Sequence, residues 1–203
     1  MDTVGHMARP AHFSEDDVLD AAALGVHKYG RSVTLAQIAA ELGGPTGSIY
    51  HRFPSREHLM VRLWLRSIGR FHAGLLAAYA LPDPQEALLQ ATLHVPQYCR
   101  DHPVDAFAMT LYRQPVLATA APEPLRQPVV GINDEVDAAL RALVSARFGH
   151  DSDEGDRLLM VATRMSPYGL VRPFVGQDVP EWLDEVCVAA ARGILELGDS
   201  SVG

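Results

Sequence analysis

Residues 34–53 read TLAQIAAELGGPTGSIYHRF, and this stretch decides the fold. Thr34 followed by Gln37 is a capping box, which predicts that a helix begins directly after Thr34. Its apolar face comes from residues at helical spacing, Leu35, Ile38, Ala39 and Leu42. The Gly-Gly-Pro run at 43–45 ends this helix after about two turns, and a second short helix follows as far as Phe53. Two short helices joined by a glycine turn are typical of a helix-turn-helix.

The second short helix begins at Pro45 or Thr46 and has the composition expected of a helix that enters the DNA major groove. Ile49 and Phe53 are four residues apart, so both can face the core. The side chains that remain for base edges and groove walls are short, polar or cationic: Thr46, Gly47, Ser48, Tyr50, His51 and Arg52. The sequence therefore predicts a DNA-binding element here.

Outward from this stretch, proline and glycine divide the chain into further helical blocks, and no segment alternates like a strand. A helix that begins with a Ser14–Asp17 capping box precedes the motif, and a long helix from Ser55 to about Tyr79 follows it. Later helices are expected at 85–102, kinked by Pro96, and at 104–113, 129–148, 153–171, interrupted near Pro167, and 180–197. The Pro- and Ala-rich segment 114–128 is expected to be a poorly ordered linker. The predicted fold class is all-α, with about nine helices.

This pattern predicts two domains, a helix-turn-helix domain at 11–54 and a helical ligand-binding and dimerisation domain at 55–203. The net charge of −8 argues against a nucleic-acid partner, but the charge is unevenly distributed. Only two acidic residues, Glu41 and Glu57, lie between Val26 and Arg70. The same segment holds seven basic residues: Lys28, Arg31, Arg52, Arg56, Arg62, Arg66 and Arg70. We expect this segment to face phosphates, with the last three arginines serving mainly as a solvated helix face.

The segment from Phe13 to about Leu63 resembles the tetracycline-repressor (TetR) family of bacterial regulators, through residues 34–43, 47–53 and 56–59. The resemblance implies that Thr34 caps the second helix and touches phosphate. It also implies that Gly47, Tyr50 and His51 line the operator backbone and that Arg56 binds phosphate at the start of the fourth helix. Three positions depart from the family pattern, namely Gly44, Pro45 and Thr46, where the family usually has an aliphatic residue, a serine and a Lys or Arg. Gly44 is expected to remove a core contact.

The resemblance also implies a homodimer whose bundle is formed by the last two long helices. The ninth predicted helix carries an apolar stripe, and small residues allow close helix approach. The residues expected at this interface are Leu158, Leu159, Ala162, Met165, Trp182, Val186, Ala190, Gly193, Ile194 and Leu197. Two helix-turn-helix domains about 34–36 Å apart would reach successive major grooves, so DNA binding itself requires a dimer.

A helical body of this size can enclose a pocket for an apolar or aromatic effector. The candidate lining residues are Tyr79, Tyr98, Phe107, Tyr112 and Tyr168, although aromatic residues at helical spacing are more often core. His94, Cys99 and His102 invite a metal hypothesis, but their spacing does not place all three on one helix face. No metal and no cofactor are therefore predicted.

These observations favour a transcriptional regulator that binds operator DNA and is released from it by a small molecule. Such a protein is a repressor. An activator and a ligand-independent DNA-binding protein of the same fold stay open as alternatives. An enzyme is disfavoured because no catalytic constellation has credible spacing. Cys99 and Cys187 are too few for a disulfide framework, and no segment resembles a signal peptide or a membrane span, so a cytoplasmic location without a membrane partner is expected.

Overall fold

The computed structural model describes residues 13–149 and 152–201. Residues 11 and 12 of the predicted first domain, and 202 and 203 of the second, lie outside these described residues. Within them the chain is helical and has no strand, which confirms the all-α class. The helices are α1 (Glu15–Tyr29), α2 (Leu35–Leu42), α3 (Thr46–Tyr50), α4 (Arg56–Tyr79), α5 (Pro84–Asp101), α6 (Pro103–Met109), α7 (Gln114–Ala120), α8 (Glu123–Val130), α9 (Asp134–Phe148), α10 (Asp153–Met160), α11 (Ser166–Val171) and α12 (Trp182–Ser201).

Local sequence signals set the helix starts of the N-terminal head, α1 to α3. The Ser14 hydroxyl accepts a hydrogen bond from the Asp17 amide at 3.1 Å, and the Ser14 amide donates to the Asp17 carboxylate at 2.7 Å. Thr34 and Gln37 make the equivalent pair of bonds at 3.2 and 2.8 Å. Both predicted capping boxes are therefore present, and they satisfy amides that a helix start otherwise leaves without partners.

The core of the head continues into the body. One cluster of buried apolar residues, here the lower core, joins α1 to α3 and the first half of α4 with Ala108, Leu111, Leu117, Leu125 and Val129. These last residues belong to α6 to α8 and the turn after α6. The head is therefore not packed as a separate unit that ends at residue 54.

The expectation of a poorly ordered linker at 114–128 is wrong. This segment forms α7 and α8, and Leu117 and Leu125 bury their side chains in the lower core. Pro115 and Pro124 lie in the first turns of these helices, where the missing N–H has no intrahelical partner to lose. Pro128 lies inside α8, which ends two residues later, at Val130. Counting prolines only as helix breakers produced the error.

A second cluster, here the upper core, packs the end of α4 against α5, α9 and α10. Its fully buried members are Leu75, Ala87, Ala91, Val144 and Leu159. Because a proline cannot donate to the carbonyl four residues earlier, Pro167 disturbs the helix before it. The disturbance takes the form of a π-helical turn, Val161–Met165, between α10 and α11. α5 in contrast runs through Pro96 as one helix. No described helix has the length and apolarity needed to cross a membrane.

Candidate DNA-binding site

The helix-turn-helix is built by α2, the turn at 43–45 and α3. Gly43 has a φ of +69°, a conformation that favours glycine, and its amide closes α2 on the carbonyls of Ala39 and Ala40. On α3 and just after it, Ile49 and Phe53 are each 1% exposed and lie in the lower core. The prediction that Ile49 and Phe53 face the core is therefore confirmed. Their burial determines which other side chains of this segment face outward.

The outward face of α3 presents a tyrosine and a histidine at its end. Tyr50 is 57% exposed, and His51 is exposed beside it. Gly47 has no neighbouring atom within 4 Å of the place where a Cβ would stand, so this side of the helix is open. Thr46 and Ser48 are half-buried, whereas Thr34 is exposed at the start of α2. Arg52 is half-buried, and its guanidinium donates to the Ser48 carbonyl at 3.1 Å.

The glycine at position 44 does not leave a gap in the head. A Cβ there would collide with the ring of Phe13, which lies over the turn between α2 and α3. The expected loss of a core contact is therefore wrong, because Phe13 fills the space that an aliphatic side chain takes in the family pattern. Because Phe13 lies 31 positions before Gly44, the sequence around Gly44 does not show that the Phe13 ring fills this space.

Arg56 is half-buried and its guanidinium is directed at the protein backbone. Its Nε donates to the Val33 carbonyl at 2.8 Å, and its Nη2 donates to the Arg31 carbonyl. Both carbonyls belong to the connection between α1 and α2, directly before Thr34. Arg56 thus links the start of α4 to the segment that presents Thr34.

The arginines of α4 do not form a free basic surface. Arg66 pairs with Asp20 at 2.8 Å, Arg70 pairs with Asp105 at 2.9 Å, and Arg62 pairs with Glu15. Lys28 also pairs with Glu41, at 3.0 Å. The acidic residues of α1 come before Val26 in the sequence, outside the segment 26–70 that is rich in basic residues. In the folded chain they lie beside the arginines of that segment. Residues 13–56 hold four Lys or Arg and five Asp or Glu, so the acids of α1 offset the positive charge counted between Val26 and Arg70.

Large apolar side chains stand exposed on the π-helical turn, α11 and α12 of the body. The members of this outer face are Val161, Met165, Tyr168, Trp182, Val186 and Leu197. Four of them were predicted at the dimer interface. Leu159 and Ala162, in contrast, are fully buried in the chain's own interior, because the helix turns them inward between the exposed positions. Leu158, Ala190 and Ile194 are half-buried, and Gly193 is exposed.

The five candidate effector residues are spread over different parts of the body. Tyr79 is buried in the upper core, with its hydroxyl 3.1 Å from the Thr163 hydroxyl. Phe107 and Tyr112 pack against the lower core, while Tyr168 is on the outer face. Tyr98 is buried and its hydroxyl has no hydrogen-bond partner, and burial raises its pKa well above the ordinary value. The structure does not bring these five residues to one place.

A cleft of about 330 Å³ lies elsewhere, between the first half of α5, the end of α9 and the second half of α12. Leu88, Thr92 and Ala191 form its buried floor, while Glu86 and Arg192 stand among the charged groups of its rim. Sequence reasoning missed this cleft, since its walls come from three separate helices.

His94, Cys99 and His102 do not form a metal site. The described residues contain no group of three His, Cys, Asp or Glu side chains able to hold a metal ion. The two histidine rings instead lie on either side of Tyr98, with centroids at 5.5 and 4.8 Å. Burial raises the pKa of the Cys99 thiol to about 11, so it stays protonated at neutral pH.

Residues 18–63 match the family model described as bacterial regulatory proteins, tetR family. Over these residues the chain is similar to the TetR family of bacterial regulatory proteins, and by that likeness its helix-turn-helix is a DNA-binding element. No curated protein sequence matches the chain.

The likeness to solved TetR-type structures extends well beyond these residues. The regulator PfmR from Thermus thermophilus shares 21% identity over 88% of this chain and 97% of its own, with a TM-score of 0.69. The fatty acid degradation regulator FadR from Bacillus halodurans shares 17% identity over 90% and 98% of the two chains, with a TM-score of 0.67. The ketosteroid regulator KstR2 from Mycobacterium tuberculosis shares 18% over 93% and 97%, with a TM-score of 0.65. At these identities the likeness is one of fold.

Proposed function

We propose that this TetR-family protein is a repressor that binds a pseudo-palindromic operator as a homodimer and leaves it when a small molecule binds the body. The observation that carries the proposal is the orientation of α3. Ile49 and Phe53 are locked in the lower core, which directs Tyr50 and His51 to solvent beside the open backbone at Gly47. A helix held in this way can enter a major groove without rearrangement.

The groups proposed to contact DNA divide into two sets by what they can bind. The Tyr50 hydroxyl, the backbone at Gly47 and the Thr34 hydroxyl suit phosphate oxygens, which take most of the hydrogen bonds in such complexes. The groups proposed to reach base edges lie on α3 or directly after it, and are Thr46, Ser48, His51 and Arg52. Because guanidinium groups near α3 are already bound to backbone carbonyls, hydroxyl and imidazole groups carry much of the proposed contact.

The outer face supplies the proposed dimer interface. Met165 is 59% exposed and Trp182 is 57% exposed, on neighbouring elements of the body. Exposed apolar residues gathered on one face of a protein mark an interaction surface. A second copy packed there would bury them and hold two heads at the spacing of successive major grooves.

The long helix α4 connects the two proposed activities. Its 24 residues span about 36 Å, from Arg56 beside the head to Tyr79 in the upper core. An effector that changes the position of the upper end therefore changes the separation of the heads. An activator or a ligand-independent binder remains the alternative, and it would use the same DNA contacts.

The proposal is tested by selecting bound DNA sequences from a random pool with the full chain and with Ser48→Ala and His51→Gln variants. Each variant should alter the preference at a few base pairs, worth about 1–3 kcal/mol per position. His102→Gln is the matched control, since His102 is exposed but lies in the body. Recovery of one identical motif from all four proteins would remove α3 from sequence reading, and no enrichment by any of them would reject DNA binding.

A further inference from the structure

The cleft between α5, α9 and α12 has the size and the floor of a small-molecule site. Its volume is about 330 Å³, within the range of about 300–1,000 Å³ that is typical of ligand pockets. Leu88 and Ala191 are 3% and 5% exposed on its floor. The Thr92 hydroxyl beside them donates to the Leu88 carbonyl at 2.8 Å, so its hydrogen is not available to a ligand. The floor therefore accepts an apolar group.

The α5 wall of the cleft is acidic. The Asp83 carboxylate caps α5 by accepting from the amides of Gln85 and Glu86 at 3.3 and 3.2 Å. Glu86 is exposed, and its Oε1 accepts from the Gln90 side chain at 2.7 Å. Its Oε2 has no hydrogen-bond partner among the described residues, and no basic side chain of α5 lines the cleft. This wall can therefore bind a positively charged group through Glu86.

The two guanidinium groups of the cleft lie on the other two helices. Arg147 of α9 is half-buried, and its guanidinium stands over the Phe148 ring, 5.4 Å from the ring centroid. Arg192 of α12 is exposed and forms no ion pair with a described side chain. Glu196, one turn further along α12, is the third acid of the rim. The rim therefore offers both signs of charge, with its positive groups confined to the α9 and α12 walls.

The cleft stays accessible in the proposed dimer. The residues of α12 that line the cleft are spaced by three and four and share one helix face, and they are Val188, Ala191, Arg192 and Leu195. Trp182 of the outer face precedes Ala191 by nine residues, about two and a half turns, so it lies on the opposite side of α12. A second copy packed on the outer face would therefore leave the cleft face of α12 accessible.

We propose that the cleft binds a small zwitterion with an apolar side chain, namely an α-amino acid or a short peptide. Its ammonium group lies against Glu86 and its carboxylate lies against Arg192. Its apolar side chain covers Leu88 and Ala191. A molecule with only one charge would leave the charges of the opposite wall desolvated without a partner, which is unfavourable. That this ligand is the effector rests on the proposed function, whereas its binding to the cleft does not.

Calorimetric titration of the full chain with three forms of the dipeptide L-leucyl-L-phenylalanine tests the proposal. The free dipeptide is a zwitterion, the N-acetylated form keeps only the carboxylate, and the C-terminal amide keeps only the ammonium group. The free dipeptide should bind saturably. Each modified form should bind about ten-fold more weakly, because one charge-assisted hydrogen bond is lost. L-Leucine and L-phenylalanine are titrated as well, since the cleft also admits a single amino acid.

Two substitutions at exposed positions assign the charges of the ligand to the walls of the cleft. Glu86→Gln should weaken binding of the free dipeptide about ten-fold and leave binding of the N-acetylated form unchanged. Arg192→Gln should weaken the free dipeptide by a similar factor and leave the amide unchanged. The matched controls are Glu154→Gln on α10 and Arg141→Gln on α9, both exposed and outside the cleft, and they should not change any affinity. Thermal unfolding verifies that all four variants keep the fold.

Three results would overturn the proposal. The first is binding of the amide or of the acetylated form as tight as that of the free dipeptide, because the ligand would then need only one charge. The second is binding that neither Glu86→Gln nor Arg192→Gln affects, which would place the site elsewhere. The third is no binding of the dipeptide or of either amino acid at millimolar concentration. Selection of DNA by the same chain decides the proposed function separately. A dipeptide held in the cleft of a protein that enriches no DNA would support this site and reject that function.

Discussion

Among single residues, Arg56 shows how a position typical of phosphate binding can act through its neighbours. Its two hydrogen bonds to the Val33 and Arg31 carbonyls fix the backbone that presents Thr34. If Arg56 acts through Thr34, Arg56→Met and Thr34→Ala should each weaken operator binding and their effects should be less than additive. The salt dependence of binding should be the same for Arg56→Met and wild type. Arg141→Met, at an exposed position in α9, is the control.

The competing outcome for Arg56 is distinct. A direct phosphate contact would give additive effects with Thr34→Ala and would lower the salt slope by about one charge. Fluorescence anisotropy at several salt concentrations separates the two cases, provided that each variant unfolds at the wild-type temperature.

His72 makes a second residue-scale prediction, concerning acid. Burial, and then the nearby Arg164, lower the pKa of His72 to about 4, against opposing effects of Asp137 and the Ile132 backbone. The folded pKa lies below the unfolded value of about 6.5, so the unfolded chain binds more protons between these limits. This contribution to stability is full above pH 6.5 and is lost as the pH falls towards 4.

The substitution His72→Phe should therefore reduce the difference in unfolding free energy between pH 7 and pH 5, by at most about 2 kcal/mol. His51→Phe, at an exposed position, should keep the wild-type difference. Urea unfolding at the two pH values measures it. An undiminished difference in His72→Phe would show that other groups cause the loss of stability in acid.

At the scale of elements, the sequence predicted what local interactions determine. Both capping boxes, the short α2 and the inward positions Ile49 and Phe53 follow from spacing within a few residues. The features that it missed depend on residues far apart. Phe13 fills the place left by Gly44, and the acids of α1 neutralise the arginines of α4. The helices α7 and α8 were missed because their stability comes from burial in a core that composition does not show.

The outer face gives a prediction about assembly. Met165→Glu or Trp182→Glu should convert a dimer to monomers, since each places an uncompensated charge in the proposed apolar interface. Val116→Glu is the matched control, because Val116 is 65% exposed and lies on α7, which packs against the lower core. Light scattering at micromolar concentration measures the mass. Dimers that persist in both interface variants would place the contact on another surface.

For the whole molecule, the lower core connects the head to the body. Leu111, Leu117 and Val129 of the body bury their side chains among those of α1 to α4. A fragment that ends at residue 54 should therefore not fold alone, whereas a fragment that ends after α8 retains every contributor to this core. Circular dichroism of the two fragments tests this. A cooperative unfolding transition in the shorter fragment would restore the boundary at residue 54.

The last prediction concerns the coupling of the two ends of the molecule. An effector and operator DNA that favour different positions of the head must weaken each other's binding by one and the same factor, because the four states form a closed cycle. A compound that raises the melting temperature of the free protein should therefore bind less tightly to the protein–operator complex. Calorimetric titration of that compound with and without operator, together with operator titration with and without the compound, should give equal ratios. A ligand bound with the same affinity in both titrations would show that the body and the head are not coupled, and that repression is relieved by another route.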